Sequence, residues 1–177
     1  MRRAKAQRPV GALPTLAALG AAAMAVAIFA LVPATAQDAA PPRTQDAAWH
    51  NEQQAALARL RPEDGWRTLD GGLRIRRIAG DGIGPRPTVE DRVTIHYAGT
   101  LTDGTTFDSS WDRGEPATFP LGRLIPAWQM AVPRMAVGDT IEIAVPADLA
   151  YGPQGKRTIP GNATLLFTIE LIAIEGR

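Results

Sequence analysis

Two histidines, two serines and no cysteine are what this chain of 177 residues offers for imidazole, serine-hydroxyl or thiolate chemistry. Without cysteine there is no disulfide framework, thiolate metal site or cysteine nucleophile. Neither His50 nor His96 belongs to a spacing that holds zinc, so no metal is expected. Ser109 and Ser110 are the only serines, and no glycine pair frames either one as a nucleophile elbow requires. Gly80-Asp81-Gly82-Ile83-Gly84 lacks the lysine and the following helix of a phosphate loop and is predicted to be a turn. Asp108 and Asp112 could be set as a glycosidase pair, but a turn and the neighbouring Arg113 account for both. What stands out is apolar. Tyr97, Phe107, Phe119, Ile125, Trp128 and Tyr151 all fall beside turns or element ends, and Phe167 lies on the last strand pattern. Each alone would be ordinary core. Together they predict a pocket, because a small sheet rarely needs so many aromatic rings at its loop junctions.

The elements that must hold these residues are mostly strands. Val93, Ile95 and Tyr97 alternate with Thr94 and His96, as do Ile141, Ile143 and Val145, and Leu165, Phe167, Ile169 and Leu171 form a longer inward row. This alternation sets His96 outward or at an edge, satisfying a backbone group. Leu73 and Ile75 suggest a further strand after Asp70-Gly71-Gly72. Asp81-Gly82, Asp103-Gly104 and Gly138-Asp139 mark more turns. Within residues 65–177 only Pro126 to about Val132 has a helical pattern, with Pro126 suited to the first position. The expected fold class is α+β: an antiparallel β-sheet wrapped on one short α-helix. Ahead of it, Asp46 to Leu60 forms a short helical pattern with Trp49, Ala56, Leu57 and Leu60 on one face. Asp46 can cap its start, and Arg61-Pro62 ends it. So short a stripe is expected to pack on its own domain and leave the protein a monomer.

The N-terminus has its own character. Four of the 19 basic residues, and none of the 18 acidic ones, precede residue 37, leaving the body with a net charge of −3. A mildly acidic body argues against nucleic acid as a partner. The basic stretch Met1 to Arg8, the apolar run Thr15 to Val32 and Ala34-Thr35-Ala36 follow the order of a secretory signal. Residues 1–36 are expected to be that signal, cut after Ala36, with the run also long enough to serve as an uncleaved membrane anchor. The body is then exported, in a bacterium to the periplasm. Residues 37–64 comprise a linker containing Pro41-Pro42 and the short helix.

The order of motifs is specific. Val93-Thr94-Ile95-His96-Tyr97, Asp103-Gly104-Thr105-Thr106-Phe107-Asp108-Ser109-Ser110, Gly138-Asp139, Ala150-Tyr151-Gly152 and Ile159-Pro160-Gly161-Asn162-Ala163-Thr164-Leu165-Leu166-Phe167 follow one another as in an FKBP-type peptidyl-prolyl cis-trans isomerase. The chain resembles that family over about residues 65–177. The resemblance implies rotation of Xaa-Pro bonds in exported proteins, without a cofactor. The implied partners are proline-containing unfolded or partly folded chains, and macrolide ligands. It assigns catalytic roles to Tyr97, Phe107, Asp108, Tyr151 and Phe167, with Phe119, Leu124, Ile125, Trp128 and Ile159 binding the substrate. Trp128 would be the floor and Tyr97, Phe107 and Phe167 the walls. The Tyr151 hydroxyl and the Ile125 N–H would face carbonyls of the bound chain, with Asp108 at the edge near Arg113. Ala117, Ala127, Ala131 and the basic pair Lys156-Arg157 depart from the family pattern. A thinner wall at Ala117 should weaken macrolide binding more than catalysis. An apolar groove of this kind would also serve a non-catalytic holdase, which is the alternative reading.

Overall fold

The computed structural model describes residues 46–176, so the expected signal at 1–36 and the linker at 37–44 lie outside the described residues. Helix α1 (Ala47–Ala58) begins where Asp46 accepts the Trp49 N–H at 2.9 Å, satisfying one of the orphan donors of the first turn. Trp49 and Leu57 are buried as the stripe predicts, and Gln53 is buried between them. Gln53 reaches the domain through hydrogen bonds. Its side-chain carbonyl accepts the Thr164 N–H at 2.9 Å, its backbone carbonyl accepts the Thr164 hydroxyl at 3.2 Å, and its amide donates to Thr102 Oγ1 at 3.4 Å. Trp49 itself joins the main core. Among the described residues, no helix is long and apolar enough to cross a membrane.

Seven strands follow: β1 (Arg67–Thr68), β2 (Arg74–Ala79), β3 (Arg92–Leu101), β4 (Thr106–Ser109), β5 (Ala117–Pro120), β6 (Thr140–Val145) and β7 (Leu165–Ile174). All pairings are antiparallel, in the order β1-β2-β6-β7-β3-β4, with β5 also on β3. The alternation in β3 and β7 has the expected consequence: Val93, Ile95, Tyr97, Leu165, Phe167, Ile169 and Leu171 all face inward and are buried. A bulge against Thr94 and Ile95 then returns Ile174 to the core, although Ile172 is exposed. The α+β expectation holds. Helix α2 (Pro126–Ala131) is the one α-helix between β1 and the end of β7. It lies against the core through Ala127, Trp128 and Ala131.

The far edge of β3 positions the site. β5 pairs with its first half, Arg92 to Ile95, and β4 with its second, Ala98 to Thr100. Between the two, at Tyr97, residues 110–116 leave the sheet. There Ser110 takes the place of a strand. Its N–H donates to the Tyr97 carbonyl at 2.8 Å and its hydroxyl accepts the Tyr97 N–H at 2.7 Å. His96 lies outward as expected, but its Nδ1 pairs with the Ser110 hydroxyl at 2.9 Å rather than with a backbone group, and its ring stacks on Trp111. The reason is local: β7 pairs with Tyr97 on one side, but neither β4 nor β5 reaches it on the other, and there a side chain replaces the backbone ladder.

One buried carboxylate closes the opposite side. Asp139 is 1% exposed. It accepts the Gly82 N–H at 2.9 Å and the Ala136 N–H at 2.8 Å, with Arg77 Nε 3.3 Å away. These bonds tie the long β2–β3 connection and the turn before β6 to the end of β2. Asp139→Ala leaves two backbone donors and the Arg77 charge without that acceptor. We expect a loss of about 3 kcal/mol in urea unfolding; a loss below about 1 kcal/mol would show that water replaces the carboxylate.

Candidate active site

Trp128, in the first turn of α2, packs against the inward-facing residues of the sheet with 4% of its surface exposed. Its ring meets Tyr97 (centroids 5.4 Å apart, 79° between planes) and Phe167 (5.3 Å, 87°) edge to face. Phe107 of β4 meets Phe167 in the same way at 5.6 Å, and Phe119 of β5 meets Tyr97 at 6.1 Å. Such edge-on pairs are favourable beyond their buried area because the positive ring edge meets a negative face. The geometry of this chain depends on Gly99. A Cβ there would stand 2.5 Å from the Phe107 ring and 2.8 Å from the Phe167 ring, closer than carbon atoms approach. Sequence reasoning passed over Gly99, whose inward position on β3 was the available signal.

These rings and the loops around them shape two adjoining cavities. The inner one, about 200 Å³, is lined by Tyr97, Asp108, Phe119, Leu124, Ile125, Trp128 and Tyr151. The outer one, about 410 Å³, is lined by Phe107, Asp108, Tyr151, Lys156, Arg157, Thr158 and Ile159. Asp108 and Tyr151 belong to both. Nine of the ten residues singled out from the sequence therefore line one cavity or the other. Phe167 lines neither: it is buried behind the walls, where it holds Trp128 and Phe107. Ala117 is half-buried on β5, opposite Ile95, and lines neither cavity.

Polar groups at the rim are arranged around Tyr97. Its hydroxyl donates to Asp108 Oδ2 at 2.6 Å and accepts from Arg113 Nη2 at 3.0 Å, while Arg113 Nη1 donates to Asp108 Oδ1. The guanidinium also lies over the Tyr97 ring, 5.5 Å from its centroid. The Asp108–Arg113 contact was legible, but the tyrosine linking them was not, because a bulge between Gly99 and Thr100 shifts the β3–β4 register. Burial raises the Tyr97 pKa, and Asp108 raises it further. Burial also pushes the Asp108 carboxyl upward. The Tyr97 hydroxyl, the Arg113 guanidinium and the Ser109 N–H outweigh that and leave it below the ordinary value. Asp108 thus releases its proton more readily folded than unfolded. The stability it supplies is complete above the ordinary carboxylate range and is lost as pH falls through its depressed folded value. Around neutrality the trio does not titrate: carboxylate, guanidinium and neutral phenol are all held in place.

Besides the buried indole N–H of Trp128, two donors on residues of the inner cavity have no acceptor among the described residues. The Tyr151 hydroxyl is one, its pKa raised by burial and then by the Asp108 charge. The Ile125 N–H is the other, since Ile125 precedes α2 and gives only its carbonyl, to Trp128 and Gln129. A small hairpin holds the outer wall: Lys156 and Ile159 exchange backbone bonds at 3.0 and 2.9 Å, with Arg157 turned at φ 52°. Gly155 is required there, because a Cβ would stand 2.2 Å from the Ile159 carbonyl oxygen. Lys156 rests over the Tyr151 ring at 5.2 Å. Among the described residues no cluster of His, Asp or Glu could hold a metal.

Gly99→Ala tests whether ring packing sets the walls. We expect a loss of about 1–3 kcal/mol from overpacking, together with a changed near-ultraviolet circular dichroism as Phe107 and Phe167 move. Unchanged stability and spectrum would mean that the rings are not tightly seated.

Comparison with known proteins bears on this geometry. The family described as FKBP-type peptidyl-prolyl cis-trans isomerase matches residues 84–172, which include every site residue named above. An FKBP-type isomerase, FkpA of Aeromonas hydrophila, is 48% identical over 119 residues, covering 67% of this chain and 44% of the relative. The isomerase Mip of Coxiella burnetii is 43% identical over 127 residues, 71% of this chain and 55% of that one. The chain therefore spans about half the length of either relative. Among solved structures, a peptidyl-prolyl cis-trans isomerase from Pseudomonas syringae superimposes with a TM-score of 0.66 at 32% identity, over 72% of this chain and 93% of that one. This chain belongs to the FKBP-type peptidyl-prolyl cis-trans isomerase family.

Proposed function

We propose that the aromatic cavity accelerates rotation about Xaa-Pro bonds in unfolded or partly folded polypeptides. The observation that carries this reading is an apolar chamber, floored by Trp128, whose free donors suit peptide carbonyls. An Xaa-Pro bond resists rotation because resonance gives its C–N bond double-bond character, with a barrier of about 18–20 kcal/mol. Exchange in water takes roughly tens to hundreds of seconds. The twisted transition state has lost that resonance and is less charge-separated than the planar amide, so a chamber that excludes water favours it. Each ~1.4 kcal/mol of differential stabilisation gives about tenfold in rate. In this reading the proline ring lies against Trp128, Phe119 and Tyr97. The Ile125 N–H and the Tyr151 hydroxyl bond to carbonyls of the bound chain, and Asp108 with Arg113 fixes the Tyr97 wall. No proton need move.

Export to the periplasm is part of the same proposal, supported by the basic, apolar and small-residue order of residues 1–36. The protein works as a monomer, because α1 is already committed to its own core through Trp49 and Gln53. Macrolide ligands would occupy the same chamber, weakly for want of a larger side chain at Ala117.

The test compares wall with rim, by the isomerisation rate of an Xaa-Pro peptide alongside unfolding of each variant. Tyr151→Phe removes one neutral hydrogen bond and should cost about 0.5–1.5 kcal/mol, or at most roughly tenfold in kcat/KM. Phe107→Ala opens the outer cavity to water and should cost more than that while the domain stays folded. Both rates should be flat from about pH 5 to about pH 8, since neither Asp108 nor Tyr97 ionises there. A Phe107→Ala protein that stays fully active, with a rate following one carboxylate, contradicts the chamber mechanism.

A further inference from the structure

A larger cavity lies elsewhere. It measures about 440 Å³, within the usual range for a ligand site, and no residue of the aromatic chamber lines it. Five arginines do: Arg67, Arg76, Arg77, Arg86 and Arg134. They come from β1, β2, the β2–β3 connection and the turn after α2, so folding collects them from four separate segments. In a body whose net charge is −3, this is a local reversal of sign. Beneath the arginines the floor is apolar, made by Leu69, Ile75 and Ile141.

Two of the charges are neutralised from behind. Arg76 Nε lies 2.6 Å from Glu142, and Arg77 Nε lies 3.3 Å from the buried Asp139. Arginines on an edge strand also guard a sheet against pairing with other sheets, which accounts for these two. It does not account for the rest. Arg86 donates to the carbonyls of Arg134 and of Gly82, the latter at 2.7 Å. Arg134 contacts the Met130 carbonyl at 3.3 Å, and Arg67 and Arg134 meet no carboxylate among the described residues. Both are exposed. Among the described residues no acidic side chain lines the cavity.

Among the described residues the sheet edge beside these arginines carries little pairing: β1 covers only Arg74 and Ile75 of β2, no described strand lies beside Arg76 to Ala79 on that side, and Ile78 is exposed there. We propose that this cavity and edge form a second polypeptide-binding site, which takes an extended acidic segment with carboxylates on either side of an apolar residue. The apolar side chain would enter over Ile75 and Ile141. Acidic residues two positions away on either side, which share its face in an extended segment, would meet Arg67 and Arg134, whose forked donors match carboxylates. The segment's backbone would pair along the free edge of β2, the mode in which main-chain bonds give affinity and side-chain sites give selectivity. A membrane surface fits less well, since a lipid headgroup has no use for a strand edge or for the apolar floor at Ile75 and Ile141. The proposal does not depend on the isomerase reading, because the two sites share no residue.

Fluorescence anisotropy of the full chain with a labelled peptide of sequence Gly-Glu-Glu-Leu-Glu-Glu-Gly tests this. The control has glutamine for every glutamate. We expect the acidic peptide to bind at least about tenfold tighter than the control, and to weaken as salt screens the charges. The double variant Arg67→Glu with Arg134→Glu should lose at least about tenfold of that affinity, yet isomerise a short Xaa-Pro peptide at the parent rate. Equal binding of the two peptides, or an unchanged affinity in the double variant, overturns the proposal. So does flotation with phosphatidylglycerol vesicles that depends on these arginines while the peptide fails to bind.

Discussion

Trp128 must hold a large flat ring at a fixed height above a curved sheet, from a helix of six residues. A helix that short has little stability of its own, so its place is set by what it packs against. Ala127 and Ala131 are wholly buried, which lets the backbone of α2 come close to the sheet. Tyr97 and Phe167 then clamp the indole edge-on from two neighbouring strands. The remaining features follow from this contact. Phe107 can lean on Phe167 only because Gly99 has no side chain, and Tyr97 faces the chamber by the alternation of β3, its backbone satisfied by Ser110 where the edge pairing lapses. Floor and walls are thus one packed unit.

That unit also accounts for the character of the polar groups. Asp108, Arg113 and the Tyr97 hydroxyl satisfy one another; burial and then the neighbouring Asp108 keep the phenol neutral, while the bonds from Tyr97 and Arg113 keep the carboxylate charged. A group held so firmly in one protonation state is poorly suited to giving and taking protons near neutrality. It is well suited to holding a wall. The donors left over, at Tyr151 and Ile125, suit carbonyl oxygens of a bound molecule, which is what the proposed isomerase reading asks of them.

The sequence disclosed those parts whose pattern is long. β3 and β7 carry enough alternating positions to declare their inward faces, and their aromatic residues could be placed from that alone. β1, β4 and β5 could not be placed, because two to four residues give no period to detect and each exists only where β2 or β3 offers an edge. Gln53 escaped an apolar search, being a polar residue buried for its hydrogen bonds to Thr102 and Thr164. Phe167 was placed on the correct face but one layer too far forward, since alternation tells which side a ring faces and not what stands before it. Arg67, Arg77, Arg86 and Arg134 lie far apart along the chain, and only the fold gathers them into one cavity.

The solvent isotope effect on kcat/KM for an Xaa-Pro peptide, measured in light and heavy water, addresses most directly whether the chamber works by environment alone. Rotation within a dry pocket transfers no proton in its transition state, so the ratio should lie close to unity across the neutral range. A ratio of about two or more, growing or fading with the ionisation of one group, would mean that a proton moves in the rate-limiting step. It would then be the carboxylate and the phenol, rather than the rings, that do the chemistry.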